Sequence, residues 1–310
     1  MRLEFLASSL ACAHAGWPRC KILNVKYQGY PICRMALQWI KTNAASFGGQ
    51  PHNITLMGES AGAASIDFHV QARRLPAGRG LHKDDDLFHQ VILQSGSAFC
   101  PWAKAAESNT PRRNKAGEGL LQRLCEALDC NSLAELRGID CRNLVKAAVK
   151  INGPAGHNFF LPTPDDSVFF PAVLTAATPP PAADSSEEKA AGTATATATA
   201  TAKLACSATT SLLPTLQGIN EREGAFLTGA FLASLLGQKR RPTLDVDDML
   251  ASVLFLHDKS EANEVRQHYF RNAPISWETA DRLTAAISDA LFVHPFHRML
   301  QQHTVQYGGP

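Results

Sequence analysis

Asn53-Ile54-Thr55-Leu56-Met57-Gly58-Glu59-Ser60-Ala61-Gly62-Ala63-Ala64-Ser65-Ile66 is the stretch on which the reading of the fold turns. Residues 53–57 are apolar and partly β-branched, which predicts a short buried strand. Ala63 to Ile66 are small residues that resume as a helix. Between them lies Gly58-Glu59-Ser60-Ala61-Gly62, a G-x-S-x-G turn. Upstream, Met35 to Phe47 places Ala36, Trp39, Ile40, Ala44 and Phe47 mostly at three- and four-residue spacing, the period of a helix with one apolar face. Gly48-Gly49 ends it, as a glycine after a helix C-terminus does. Helix, strand, G-x-S-x-G, helix is the context in which a serine is held on a sharp strand-to-helix turn.

That geometry has a chemical use. A serine hydroxyl is a weak nucleophile until a base removes its proton. The turn lifts Ser60 Oγ beyond the end of the strand, and Gly58 and Gly62 let backbone and helix close up without a Cβ clash. The Ala61 N–H points where a carbonyl oxyanion would develop, and the helix N-terminus adds a favourable partial charge. The expected fold class is α/β, the α/β-hydrolase fold to which this nucleophile elbow belongs. A bare G-x-S-x-G arises by chance in about one chain in ten of this length. The flanking strand and helices therefore carry the inference.

Working outward, Val91-Ile92-Leu93-Gln94-Ser95-Gly96 predicts a second buried strand ending in a turn. Gly117 to Leu128 predicts a helix with Leu120, Leu121, Leu124 and Leu128 on one side. Leu283, Ile287 and Leu291 predict another helix, broken at Pro295. Residues 178–210 are low complexity, with a run of prolines, an acidic patch and alternating Thr/Ala from Thr193 to Ala202. Such a segment buries too little apolar surface to offset its ordering entropy, so it reads as a disordered insertion. Residues 211–310 are helix-rich, and no internal repeat is visible.

Composition bounds the function. With 30 basic and 28 acidic residues among 310, the net charge of +2 gives no footprint for nucleic acid or an anionic membrane. No apolar run approaches the roughly 20 residues of a membrane span. The eight cysteines, at 12, 20, 33, 100, 125, 130, 141 and 206, form no C-x-x-C pair, which argues against a zinc-ribbon or thioredoxin-type site. Residues 1–15, with Arg2, an apolar Leu3–Ala13 and Ala13-His14-Ala15, have the form of a short secretory signal, although Glu4 interrupts the apolar part. A chance apolar start to the chain reads equally well.

Several blocks resemble one family. Arg34-Met35-Ala36-Leu37-Gln38-Trp39-Ile40, Phe47-Gly48-Gly49, Thr55 to Ser65, and Val91-Ile92-Leu93-Gln94-Ser95-Gly96-Ser97 are similar, in order, to the type-B carboxylesterases, the family that includes the cholinesterases. Gly218-Ile219-Asn220-Glu221-Arg222-Glu223-Gly224 resembles a second family block. The resemblance implies hydrolysis of small carboxylic esters, with no metal or organic cofactor, no nucleic-acid partner, and secretion or display outside the cell. It makes Ser60 the nucleophile, Ala61 an oxyanion donor, and Glu223 the acid that orients the base histidine. Read from the residues alone, without the resemblance, Glu221-Arg222-Glu223 is a solvated charged turn. Trp102 resembles a tryptophan on the acyl side of the family's pocket, and a core tryptophan is the alternative. Cys130 and Cys141 resemble a pair that closes a small disulfide loop, with free thiols as the alternative.

The resemblance also shows departures. An upstream His-Gly-Gly-type loop and a downstream glycine-flanked histidine block have no match in 1–310. The expected domain, 21–310 with its insertion at 178–210, is thus a partial one whose base histidine is absent. His294, His297 and His303 follow the acid in the right order but fall on a segment resembling a surface helix. Gly156 and Asn158 stand where acyl-pocket aromatics would precede Phe160-Leu161-Pro162, against strict acetylcholine selectivity. The alternative readings are a catalytically inactive interaction or adhesion relative, against which retention of Ser60 and Glu223 argues as ancestry, and a truncated gene product of a longer, active chain.

Overall fold

A computed structural model describes residues 4–7, 29–73, 86–104, 122–152, 213–237, 246–256, 259–271 and 273–307. The 178–210 insertion, the strand-like Ile22 to Tyr27 and the Phe160-Leu161-Pro162 block lie outside them. Four parallel strands, β1 (Glu4–Ala7), β2 (Thr55–Glu59), β3 (Gln90–Gln94) and β4 (Thr215–Gly218), form one sheet in sequential order. Parallel neighbours require crossovers. Between β1 and β2 runs helix α1 (Gly29–Asn43), tightened into a 3₁₀ turn at Ala44–Phe47. Between β2 and β3 runs α2 (Ala61–Arg73). Glu59 pairs with Gln94, and Gln94 with Gly218, so the carboxyl ends of three strands stand in one row. In open parallel sheets this edge is where ligands bind.

Side-chain alternation explains why the sheet is covered. Leu56, Val91 and Leu93 are buried while Met57 and Ile92 are half-buried. The first three join Ile54, Ile66 and Val70 in one core under α2. A separate helical core follows the sheet. It is built by α5 (Ala225–Gly237), α6 (Val246–Val253), α7 (Lys259–Val265) and α8 (Ala280–Ser288) around Leu232, Leu250, Phe270 and Leu283. Two short helices, α3 (Leu133–Gly138) and α4 (Cys141–Asn152), pack with the 122–128 helix over Leu124, Cys130 and Leu136. Among the described residues, no helix is long and apolar enough to cross a membrane.

The α/β fold expected from the elbow is the one observed, with informative differences in detail. β2 starts two residues later than expected, at Thr55, and before it the Asn53 side chain accepts a hydrogen bond from Gln90 Nε2 at 3.2 Å. α1 and its 3₁₀ turn bury Leu37 and Ala44 and half-bury Ile40, so of the residues at helical spacing only part find cover. Trp39 and Phe47 stand 58% and 59% exposed, their rings 6.0 Å apart. Glu4–Ala7 lies inside the stretch with a signal-like composition, so cleavage after Ala15 would remove β1 and leave β2 at the sheet edge.

Pro295 does not break its helix. α8 runs into a π turn at Asp289–Val293, and α9 (His294–Tyr307) continues from it. Proline is accommodated in the first turn after such a register change, and the Leu291 carbonyl, its α-helical partner four residues back, takes a donor from the Trp102 indole instead. The His294 N–H bonds back to Asp289 O, five residues earlier, which is the register change itself.

Candidate active site

Ser60 sits between the end of β2 and the start of α2 with φ +54°, a left-handed conformation that costs a non-glycine residue of order 1 kcal/mol or more. Two hydrogen bonds hold it there. Its N–H donates to Gln94 O at 2.8 Å across to β3, and its carbonyl accepts from Ala64 N–H at 3.0 Å in the first turn of α2. The side chain is half-buried. Ala61 opens α2 beside it, where orphan helix N–H groups gather.

The first glycine of the motif is demanded by contact with the second. A Cβ on Gly58 would lie 2.6 Å from Gly62 C and 2.8 Å from Ala63 N. A third glycine, Gly96, belongs to the same turn. A Cβ there would collide with the Ser60 carbonyl and come within 3.1 Å of the Trp102 indole. Its neighbour Ser95 is also left-handed, at φ +53°, and donates its N–H to Gly218 O at 2.9 Å. In sequence, Gln94 to Ser97 reads as the end of a strand and as part of a resembling block, and nothing local marks the contact of Gly96 with Ser60, thirty-six residues earlier.

Glu223 follows β4. It is buried, whereas Glu221 and Arg222 are exposed and Arg222 pairs with Asp281. The charged-turn reading therefore holds for two of the three residues. Glu223 Oε1 accepts from Asn220 N–H at 2.7 Å, and Asn220 Nδ2 reaches Ser95 Oγ at 3.4 Å. This chain of contacts runs from Glu223 through Asn220 to Ser95, next to the strand end that holds Ser60. Gly224 then packs on α8. Its N–H donates to Ser288 Oγ at 2.8 Å, and a Cβ on it would lie 2.8 Å from Ile287 Cβ. Asn220 and Gly224 belong to the block that resembles the family, whereas Ser288 has no local sequence signal that sets it apart.

Trp102 is half-buried and touches two cores at once, the small cluster around Ala64, Phe68 and Cys100 and the helical one. Its ring lies 5.9 Å from that of Phe292, and its Nε1 donates to Leu291 O at 3.1 Å. Cys100, beside the site, is no nucleophile. Burial pushes its thiol up to about 12, with the negative charges of Asp67 and Glu223 adding to the effect.

The histidines differ in their surroundings. His69 is fully buried on α2, and burial, assisted by the Arg34 charge, lowers it to about 3. His294 is lowered by burial and by Arg298, and His297 stands edge-on to Phe296. His303 lies on α9. His52 and His89 approach Asp86, at 3.6 Å and 2.7 Å, in a metal-like grouping. The chemistry there disfavours a metal. His89 Nδ1 accepts the Ile54 N–H at 3.0 Å, so in the neutral ring Nε2 carries the proton and has no lone pair to offer. Lys41 already bonds the Asp86 carboxylate at 2.9 Å.

The cysteine pairing implied by the resemblance is not made. Cys130 and Cys141 are both free thiols, Cys130 buried beside Leu124 and Leu136, and Cys141 exposed at the start of α4. The two occupy different environments, one inside the small helical cluster and one at its surface.

A serine held left-handed at a strand-to-helix turn, on the carboxyl edge of a parallel sheet, defines the α/β-hydrolase class of fold. Residues 33–310 match the carboxylesterase family, and the chain belongs to that family. It is 25% identical over 273 residues to venom carboxylesterase-6 of Apis mellifera, covering 86% of this chain and 43% of that protein. It is 39% identical over 120 residues to acetylcholinesterase of Gallus gallus, covering 39% of this chain and 14% of that one. Cholinesterase 1 of Branchiostoma lanceolatum is 43% identical over 82 residues, 26% of this chain and 20% of its own. The chain spans less than half the length of the curated relatives it matches.

Proposed function

We propose that this site is that of a carboxylic ester hydrolase acting on small-molecule esters outside the cell. Ser60 is its nucleophile, the Ala61 N–H an oxyanion donor, Glu223 the acid of the triad and Trp102 a wall beside the acyl group. The observation that carries the reading is the left-handed Ser60 at the head of α2, braced by Gly58, Gly62 and Gly96. Such backbone strain persists only where surroundings over-determine it, and it clusters at reacting groups. Burial of Glu223 and its short bond from Asn220 support the acid role, since an orienting carboxylate must itself be held. The proposal includes that no histidine within 1–310 serves as the base.

Two measurements test this. After prolonged incubation with p-nitrophenyl acetate, peptide mapping should find the acetyl group on Ser60 ahead of Ser65, Ser95 and Ser97. Acetylation spread over the other serines, with none on Ser60, would overturn the nucleophile assignment. Steady turnover by residues 1–310 should stay near background, because a missing base costs on the order of 10⁴–10⁶ in rate. Ser60-dependent turnover at ordinary esterase rates would instead make one of His294, His297 or His303 the base.

A further inference from the structure

Leu291 carries a backbone carbonyl that lacks its α-helical donor. In an α-helix that oxygen is filled by the N–H four residues on. Four residues on is Pro295, which has none. The preceding π turn has already sent the His294 N–H to Asp289. Leu291 is buried, so an unfilled carbonyl there would carry the desolvation penalty of a lost hydrogen bond. The donor that fills it comes from far away in the chain, the Trp102 indole at 3.1 Å.

We propose that Pro295 is a positioning residue for the nucleophile turn. By withholding a backbone donor it reserves the Leu291 carbonyl for Trp102, and the indole thus fixed forms the backing of the Ser60 turn. The far edge of the same ring stands against Gly96, and Gly96 in turn lies against the Ser60 carbonyl. Between these two ends Trp102 packs on both the Phe68–Cys100 cluster and the Leu232–Phe270 core, and Phe292 lies 5.9 Å from it. One rigid ring therefore spans from a helix irregularity to the elbow. Its weight for catalysis rests on the esterase reading of Ser60; the hydrogen-bond exchange does not, and it is measured without substrate.

The test compares two replacements of Pro295 in the whole chain. Pro295→Ala restores an N–H that competes for the Leu291 carbonyl. Incorporation of lactic acid at 295 removes the ring but leaves an ester with no N–H. The readout is hydrogen exchange of the Trp102 indole N–H by NMR, its signal assigned by its loss in Trp102→Phe. In the alanine variant exchange should quicken about tenfold, the scale of one hydrogen bond, and the lactate variant should keep the rate of the native chain. Equal rates in the two variants would overturn the proposal, because the ring rather than the missing donor would then be what matters. Should the alanine variant fail to fold, the lactate variant decides alone. Native exchange in it supports the proposal, and quickened exchange overturns it. Failure of Ser60 to take up an acetyl group would overturn the esterase reading and leave this result standing.

Discussion

Gly96 lies directly against the carbonyl oxygen of Ser60, too close for any side chain larger than hydrogen. The contact crosses from the end of β3 to the end of β2, beside the 2.8 Å bond from Ser60 N–H to Gln94 O. It makes the elbow a two-strand construction, for which the five residues of the motif are necessary but insufficient.

Gly96→Ala should therefore weaken the fold. The added methyl meets backbone at Ser60 and the Trp102 ring, neither of which can swing away. Overpacking of this kind costs about 1–3 kcal/mol. Urea unfolding should show a lower midpoint with an unchanged slope. A variant as stable as the parent would mean that the strand ends part easily and that the elbow is not braced from β3.

Position 60 should show a trade between stability and chemistry. Glycine adopts φ +54° freely, while alanine keeps the left-handed strain of serine. Ser60→Gly should be about 1 kcal/mol more stable than Ser60→Ala, measured as a difference in urea midpoints. Equal stability would show that the backbone there stores no strain.

A thiol at the elbow should be reactive where the buried native thiol beside the site is not. Ser60→Cys places sulfur at the N-terminus of α2, a position that favours thiolate. Cys100, pushed up to about 12 by burial, stays protonated at neutral pH. Timed alkylation with iodoacetamide and peptide mapping should show the introduced thiol modified well before Cys100. The reverse order would place position 60 inside the core.

Acid should weaken the fold through His69. Its pKa is about 3 when folded and 6.5 by its ordinary value, so between these the unfolded chain binds more protons. The stability it contributes is present above pH 6.5 and is lost as pH falls toward 3. The limiting slope is about 1.4 kcal/mol per pH unit. His69→Gln should flatten that part of the profile, read from urea midpoints at pH 7, 6 and 5. An unchanged slope would assign the acid sensitivity to other groups.

The sequence by itself determined the local architecture of the site. Strand, G-x-S-x-G and small-residue helix are bound by sterics acting within about ten residues, so the left-handed Ser60 and the need for Gly58 and Gly62 were legible without any distant partner. Periodicity likewise announced α1, but it could not say which apolar residues would find cover, and Trp39 and Phe47 did not. What only the tertiary structure decided involves groups far apart in the chain. Glu223 is separated from its charged neighbours by burial against the sheet end, with Asn220 and Ser95 linking it toward Ser60. Gly96 became essential because a turn thirty-six positions earlier presses on it. Pro295 read as a helix stop, because its missing donor counts locally as a defect. In the fold that defect is filled by Trp102, 189 residues removed from the Leu291 carbonyl it bonds. Short-range sterics are written in neighbouring residues, whereas burial and the partner of an open carbonyl exist only once the sheet and helices have packed.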